Sequence, residues 1–323
     1  MSIRRVFVVV ACALALSACS STANPTPTPS ASGSASPSPS STVPVQTSLD
    51  GIKVSGAWLK KPKVTFTAPF YIDQTRSKVL IQGKGNEITD TSLFTFRYYL
   101  AEGRTGKMSE ESFTSKQDTT TALEGLIKGF TTGLKGAKAG SRVLLAIPGS
   151  DSFDGVDPTY RPADYQDGDT LIFVVDITGV SLAQPSGAAV TPAAGLPTVT
   201  GDAASKPVVT MPKTAAPAAM KTQVLIKGTG AKVTKTDTVY SRYVGYSWKT
   251  GQLIDDKFDT PESTPLASTL PGLKAGLVGQ TVGSRVMFVL PPKDGFPLGS
   301  NNPPVEAGDT VVYVVDVLYA YQQ

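Results

Sequence analysis

One stretch of this chain occurs twice, and the repeat constrains the fold more than any other feature. The two copies are IKGFTTGLKGAKAGSRVLLAIP at residues 127–148 and LPGLKAGLVGQTVGSRVMFVLPP at residues 270–292. In each copy, apolar residues at roughly helical spacing are followed by glycines and then by an apolar run that ends at proline. This pattern predicts a short helix, a Gly-Ser turn and a buried strand.

The repeat covers most of the chain. Arg97-Tyr98 recurs as Arg242-Tyr243 at an offset of 145 residues, and the offset falls slightly farther along, as small loop deletions would produce. Each copy of about 130 residues is large enough to bury its own core. The sequence therefore predicts two homologous domains in tandem, at residues 48–182 and 195–323, joined by a linker at 183–194.

The N-terminus resembles the export signal of a bacterial lipoprotein. Arg4 and Arg5 precede a short apolar run, and small residues lead up to Cys19, as in a lipobox, where the cysteine is lipidated and becomes the mature N-terminus. Residues 1–18 are predicted to be a signal peptide, and residues 19–47, rich in Ser, Thr and Pro, a disordered tether. The predicted location is the extracytoplasmic face of a bacterial cell membrane, held by a lipid anchor. A plain secretory signal with a coincidental cysteine is the alternative.

The pattern of apolar runs and turn residues in the second repeat predicts an α+β fold. The apolar run in the last predicted strand has little alternation, as in a strand buried in the middle of a sheet. The fold that fits is a strongly twisted antiparallel sheet wrapped around one short helix in each domain. The expected strands of the second repeat lie near residues 208–211, 223–228, 238–246, 253–258, 285–290 and 310–318.

Composition excludes several classes of function. The chain has no histidine, and its two cysteines lie within or directly after the predicted signal peptide, so histidine–cysteine zinc sites and histidine-based catalysis are excluded. A formal net charge of +4 provides no basic field for nucleic acid. We expect no cofactor, no bound metal and no nucleic-acid partner, and a monomeric protein.

An ordered set of residues in the second repeat carries a family resemblance. The set comprises Tyr243, Phe258-Asp259, the Leu-x-Gly-Leu-x-x-Gly run at 270–276, Phe296 and Tyr313. In order and spacing it resembles the FKBP-type peptidyl-prolyl isomerases, and the resemblance covers nearly all of each repeat. It implies an apolar pocket that holds a proline ring.

The resemblance also implies a role for each matching residue of the second domain. Leu273 stands where the family usually has tryptophan, so the floor of the pocket is smaller. The implied roles are walls for Tyr243 and Phe258, the polar member for Asp259, a backbone N–H donor to the substrate carbonyl for Leu270, the floor for Leu273, the loop aromatic for Phe296 and the base for Tyr313.

The first domain offers a second pocket by the same resemblance. Its floor residue is aromatic, but Thr114 stands where the acidic residue is expected, so we expect the second domain to be the more active one. The matching residues are Tyr98, Phe113, Ile127, Phe130, Phe153 and Phe173. Arg97 and Arg242, each just before a tyrosine, are expected to point to the solvent face of the sheet.

Isomerisation of an X-Pro bond needs no acid, base or nucleophile. Its barrier of about 18–20 kcal/mol arises from amide resonance. A dry pocket that removes solvent hydrogen bonds from the prolyl amide binds the twisted amide better than either planar form. The predicted function is that of a prolyl isomerase or folding helper acting on X-Pro segments of exported proteins. The alternative is a non-enzymatic binding module whose degenerate pockets hold Pro-containing segments or a partner protein.

Overall fold

The computed structural model describes residues 43–322. The predicted signal peptide, Cys19 and most of the predicted tether lie outside the described residues, so the lipid anchor stays a prediction. Within residues 43–322, no helix has both the length and the apolar character needed to cross a membrane. This part of the chain has two α-helices, α1 (Lys128–Leu134) and α2 (Pro271–Leu277), one in each repeat.

The first domain is built on a six-stranded antiparallel sheet with the order β5-β9-β10-β6-β7, in which β8 also pairs with β6. Two small two-stranded sheets, β1-β4 and β2-β3, precede it. The strands are β1 (Val45–Gln46), β2 (Lys53–Ser55), β3 (Lys63–Thr65), β4 (Tyr71–Ile72), β5 (Arg76–Ile81), β6 (Leu93–Glu102), β7 (Met108–Glu111), β8 (Thr119–Ala122), β9 (Arg142–Ile147) and β10 (Leu171–Val180).

The second domain repeats the main sheet of the first with one strand added, and it has two small two-stranded sheets of its own. Its seven-stranded antiparallel sheet has the order β11-β14-β18-β21-β15-β16, and β17 also pairs with β15. The strands are β11 (Gly187–Ala189), β12 (Thr198–Thr200), β13 (Val208–Thr210), β14 (Lys221–Gly228), β15 (Thr238–Ser247), β16 (Leu253–Asp256), β17 (Glu262–Pro265), β18 (Arg285–Leu290), β19 (Ser300–Asn301), β20 (Pro304–Val305) and β21 (Val311–Tyr321). The predicted fold, a twisted antiparallel sheet with one short helix in each of two domains, is confirmed.

A glycine in each helix sets how closely the helix approaches its sheet. A Cβ atom on Gly133 of α1 would lie 2.3 Å from Leu145 Cδ2, and one on Gly276 of α2 would lie 2.5 Å from Phe288 Cε1. Such distances exclude any larger side chain unless the core moves. The glycines shared by the two copies of the repeat therefore allow each short helix to lie directly on its sheet.

The opposite face of each sheet is also buried, which overturns the expectation for Arg242. The segment at 196–216 covers this face in the second domain, and Arg242 is only 9% exposed there. Its guanidinium lies 4.0 Å from the Phe258 ring centroid, and its Nε donates to Asp316 Oδ2 at 2.8 Å. Arg97 is not solvent-facing either, since its side chain is 17% exposed and its Nε donates to Asp118 at 2.7 Å. The prediction was wrong for Arg242 because the segment at 196–216 packs over this face, and wrong for Arg97 because Asp118 and the carbonyl of Lys116 hold its guanidinium.

A second arginine completes the buried charge cluster of the second domain. Arg285 donates through Nε to Asp316 Oδ1 at 2.6 Å and through Nη1 to the carbonyl of Asp202 at 2.7 Å. In the first domain, Arg142 pairs with Asp176 in the same way and donates to the carbonyl of Gly56 at 2.8 Å. These charge-assisted hydrogen bonds fix the covering segments to the sheets.

The predicted linker at 183–194 is not a free connection. It contains β11, which pairs with β14 and so belongs to the second sheet. The two domains also touch, because a hydrogen bond of 2.7 Å joins Thr95 Oγ1 to Tyr319 Oη. At the other boundary, β1 begins at Val45, slightly before the predicted start of the first domain at residue 48.

Candidate functional site

The second domain contains a cavity of about 220 Å³ between α2 and the sheet face that the helix covers. Its lining is mainly apolar, with a few hydroxyl and carboxyl groups. The sheet contributes Tyr243 from β15 and Tyr313 from β21, the helix contributes Leu273, and the loop after β18 contributes Phe296. A cavity below the roughly 300–1,000 Å³ of sites for drug-sized ligands is suited to one side chain or one small ring.

The structure brings five of the seven predicted residues of the second domain to this cavity. Leu270 and Leu273 are there because α2 begins directly after Leu270, so positions 270 and 273 are one helical turn apart and share a face. The five residues are Tyr243, Leu270, Leu273, Phe296 and Tyr313. Their placement agrees with the implied pocket, and their individual roles stay predictions.

Two tyrosines and two carboxylates form the polar side of the cavity. The rings of Tyr243 and Tyr313 meet edge to face, with centroids 5.8 Å apart. Tyr243 Oη donates to Glu262 Oε1 at 3.0 Å, and Tyr313 Oη donates to Asp255 Oδ2 at 3.1 Å. Burial raises the pKa of both phenols, and the charge of Asp255 raises each of them further. Both tyrosines are therefore hydroxyl donors at any physiological pH.

Asp255 is a half-buried acidic residue of the cavity lining that accepts a hydrogen bond from Tyr313. Burial is the main reason that its pKa is raised, and the negative charge of Glu262 raises that pKa further. It lies opposite Gly245 in the β15–β16 pairing. A Cβ atom on Gly245 would lie 2.8 Å from the Tyr313 ring, so glycine at this position makes room for the tyrosine and its bond to Asp255.

The placement of Phe258 and Asp259 in the pocket was wrong. Phe258 is buried on the opposite sheet face, packed with Trp248 and under the Arg242 guanidinium. The Asp259 side chain is 76% exposed and pairs with Lys206 at 2.7 Å. Because β16 ends at Asp256, the chain turns to the other face before it reaches Phe258.

The acidic residues of the cavity and part of its wall were not identified from the sequence. Asp255 could have been found by pairing β16 back against β15 from the hairpin turn, which places it opposite Gly245. Glu262 lies in β17, a short strand with few large apolar residues, so no strand was predicted there. The missed lining residues include Ser241, Asp255 and Glu262.

In the first domain, aromatic rings fill the equivalent space. Phe130 and Phe173 meet edge to face at 4.7 Å, and Phe96 lies 6.1 Å from Phe130 and 6.0 Å from Tyr98. All four side chains are at most 6% exposed. Ile127 and Phe153 pack against the same cluster and are partly buried. The predicted second pocket is thus a packed aromatic core.

The other two residues predicted for that pocket lie elsewhere. Phe113 is 4% exposed on the opposite sheet face, where the Arg142 guanidinium lies 5.8 Å from its ring centroid. Thr114 is exposed and donates its backbone N–H to Glu111 at 3.0 Å. The residue that matches Asp255 by strand register is Glu110, which lies opposite Leu100. The first domain therefore does have an acid at that register position, and Thr114 does not replace it.

Comparisons with known proteins agree with this architecture. The family model described as FKBP-type peptidyl-prolyl cis-trans isomerase matches residues 85–178 and 229–318. A "Probable FK506-binding protein" of Corynebacterium glutamicum is 30% identical over 118 residues, which cover 36% of this chain and 98% of that protein.

Two solved structures are also similar to parts of this chain. The three FKBP domains of wheat FKBP73 are 15% identical to the chain, with a TM-score of 0.34, and the match covers 77% of this chain and 95% of that one. FkpA from Escherichia coli is 24% identical, with a TM-score of 0.30, over 41% of this chain and 52% of that one.

The family model covers more than half of the chain, in one region of each domain. The curated relative is matched over nearly its full length by a segment about as long as one repeat. The chain therefore belongs to the FKBP-type peptidyl-prolyl cis-trans isomerase family, with two such domains in tandem.

Proposed function

We propose that this protein is a prolyl isomerase whose active site is the cavity of the second domain. The observation that carries the proposal is the contrast between the two domains: the second has a cavity of about 220 Å³ lined by Tyr243 and Tyr313, whereas Phe96 and Phe130 fill the equivalent space in the first. A proline ring needs an apolar cavity, since the catalysis consists of desolvating and twisting the amide.

The residues of the cavity supply what that chemistry requires. Leu273, Phe296 and the two tyrosine rings provide apolar surface for the pyrrolidine ring. Leu270 lies at the N-terminal end of α2. In this proposal its backbone N–H donates a hydrogen bond to the substrate carbonyl. The hydroxyls of Tyr243 and Tyr313 are already hydrogen-bonded to carboxylates, so their rings are fixed in position.

We further propose that the protein acts on X-Pro segments of exported proteins from the outer side of the cell membrane. The support is the predicted signal peptide and the lipobox-like sequence at Cys19. The first domain, whose pocket position is filled, would then serve as a structural or binding domain that extends the second from the membrane.

The test is an NMR-exchange or protease-coupled isomerase assay on an X-Pro peptide with the full chain. Tyr243→Ala should remove most of the activity, and Tyr98→Ala should retain it, provided that both variants unfold cooperatively. The reverse outcome would assign catalysis to the first domain. A non-enzymatic binding module would bind the peptide in an NMR titration without accelerating exchange between its cis and trans forms.

A further inference from the structure

The cavity of the second domain carries negative charge without a matching positive charge in its lining. Asp255 and Glu262 both line it, and among the described residues of the lining there is no lysine or arginine. We propose that this site prefers prolines that have a lysine or arginine beside them in the chain. This inference rests on the assignment of the cavity as the proline site.

Strand pairing places the two carboxylates along one side of the cavity. Asp255 in β16 lies opposite Gly245, and Glu262 in β17 lies opposite Ser241, so both acids flank the same strand, β15. The two groups are close enough for the charge of Glu262 to help raise the pKa of Asp255. A cation bound between them would relieve this repulsion.

The protein leaves part of this charge uncompensated. Lys257 Nζ is 3.9 Å from Glu262 Oε2, with a side chain 43% exposed, and it is the one cation of residues 43–322 that pairs with either acid. Each carboxylate accepts one tyrosine O–H and keeps further acceptor positions. An ammonium or guanidinium group of a substrate can occupy those positions with charge-assisted hydrogen bonds.

The second carboxylate distinguishes the two domains. Phe96 lies opposite Thr119 in the β6–β8 pairing, at the register point where Ser241 lies opposite Glu262. Thr119 thus stands in the first domain where Glu262 stands in the second. The pair of carboxylates therefore occurs in the domain that has the cavity, because the first domain has no acidic residue at the Glu262 position.

The experiment measures kcat/KM of the full chain on matched peptides in which lysine, glutamine or glutamate stands next to the proline, on either side. We expect the lysine peptide to exceed the glutamine peptide by about three- to tenfold, and the glutamate peptide to be the slowest. The preference should shrink as salt is raised from about 0.01 M to 1 M, because salt screens a partly exposed pair.

Two variants locate the effect. Glu262→Gln keeps an acceptor for Tyr243 and should remove most of the preference for lysine. Glu306→Gln removes one negative charge from the same domain at an exposed site paired with Lys249, outside the cavity lining, and should leave the preference intact. An equal effect of the two variants would show that net charge, and not the cavity, is responsible.

The outcomes separate this inference from the proposed activity. Equal turnover of the three peptides would overturn the preference and leave the isomerase proposal standing. If no peptide is turned over, the isomerase proposal fails, and dissociation constants of the same peptides from NMR titration then decide the preference. Equal affinities for the three peptides would overturn it in that case as well.

Discussion

Phe96 and Ser241 occupy equivalent points of the two sheets, and their difference in size separates a filled core from an open cavity. Each lies in the long strand before the hairpin, opposite the short strand that precedes the helix. Phe96 is completely buried against Phe130, whereas Ser241 lines the cavity of the second domain. Two domains with the same backbone plan thus differ in whether a cavity lies beneath the helix, and the size of one side chain contributes to that difference.

Ser241→Phe should close the cavity and lower kcat/KM on an X-Pro peptide at least about tenfold. The aromatic ring would occupy the space that the first domain gives to Phe96, and overpacking of this kind costs typically about 1–3 kcal/mol. Isomerase assays and thermal unfolding measure the two effects. A Ser241→Phe protein with full activity would show that the proline ring does not bind in this cavity.

Phe96→Ala is the matched change in the first domain. Removing a fully buried ring should destabilise that domain by about 3–5 kcal/mol. Activity of the full chain at temperatures where both domains are folded should not change, because the second domain keeps its cavity. Loss of activity with the fold intact would indicate that the first domain takes part in catalysis.

Leu273→Trp should raise kcat/KM, chiefly through a lower KM. Leu273 lines the cavity at the floor position, and a larger apolar side chain there adds packing against the proline ring, by an amount on the order of 1–3 kcal/mol. A value of kcat/KM equal to or below that of the unaltered protein would contradict the assignment of Leu273 as the floor.

Asp255→Asn should raise the thermal midpoint of the second domain at neutral pH. The pKa of Asp255 is raised by burial and by Glu262, so the folded state binds the proton more tightly than the unfolded state does. Its contribution to stability is full below the ordinary pKa of about 3.9 and is lost as pH rises through the raised value. The gain from the substitution should therefore vanish below about pH 4.

Glu306→Gln provides the control of opposite sign for that experiment. Lys249 holds the pKa of Glu306 below its usual range, so this carboxylate favours the folded state at neutral pH. Its removal should leave the thermal midpoint unchanged or slightly lower, since exposed ion pairs contribute little. An increase equal to that of Asp255→Asn would point to net charge as the common cause.

Cys19→Ala should release the protein from the membrane. The tether is too polar to bind lipid, and the proposal assigns the anchor to lipid chains on Cys19. Membrane fractionation after a high-salt wash measures the outcome. If the variant still sediments with membranes, the lipobox prediction is wrong.

Residues on the helix and in the central strands could be assigned to the site from sequence, whereas those at strand ends could not. Helical spacing fixes that Leu270 and Leu273 share a face, and Tyr243 and Tyr313 follow from the pairing of two long strands. Phe258 was assigned to the wrong sheet face. The face on which it lies depends on where β16 ends and on the irregular register after Gly245. Local composition contains no signal for that register.

The sequence also did not reveal that a separate segment covers the sheet face opposite the helix in each domain. The segments at 49–72 and 196–216 have short strands and many loop residues, which indicate surface rather than core. The segment at 196–216 buries Arg242 and Arg285, because Asp316 and backbone carbonyls such as that of Asp202 satisfy the guanidinium groups. A buried arginine of this kind is recognisable only when its partners are known.

The strand β11 lies in the connection between the domains, and it protects the edge of the second sheet against aggregation. An unpaired edge strand is a template for pairing with other chains, and β11 covers the outer edge of β14. The corresponding edge strand of the first sheet, β5, instead carries the charged residues Arg76 and Lys78, which pair with Asp73 and Asp50. A proteolytic cut just after Ala189 would weaken the hold of β11, and the released second domain should then self-associate more readily than the intact chain.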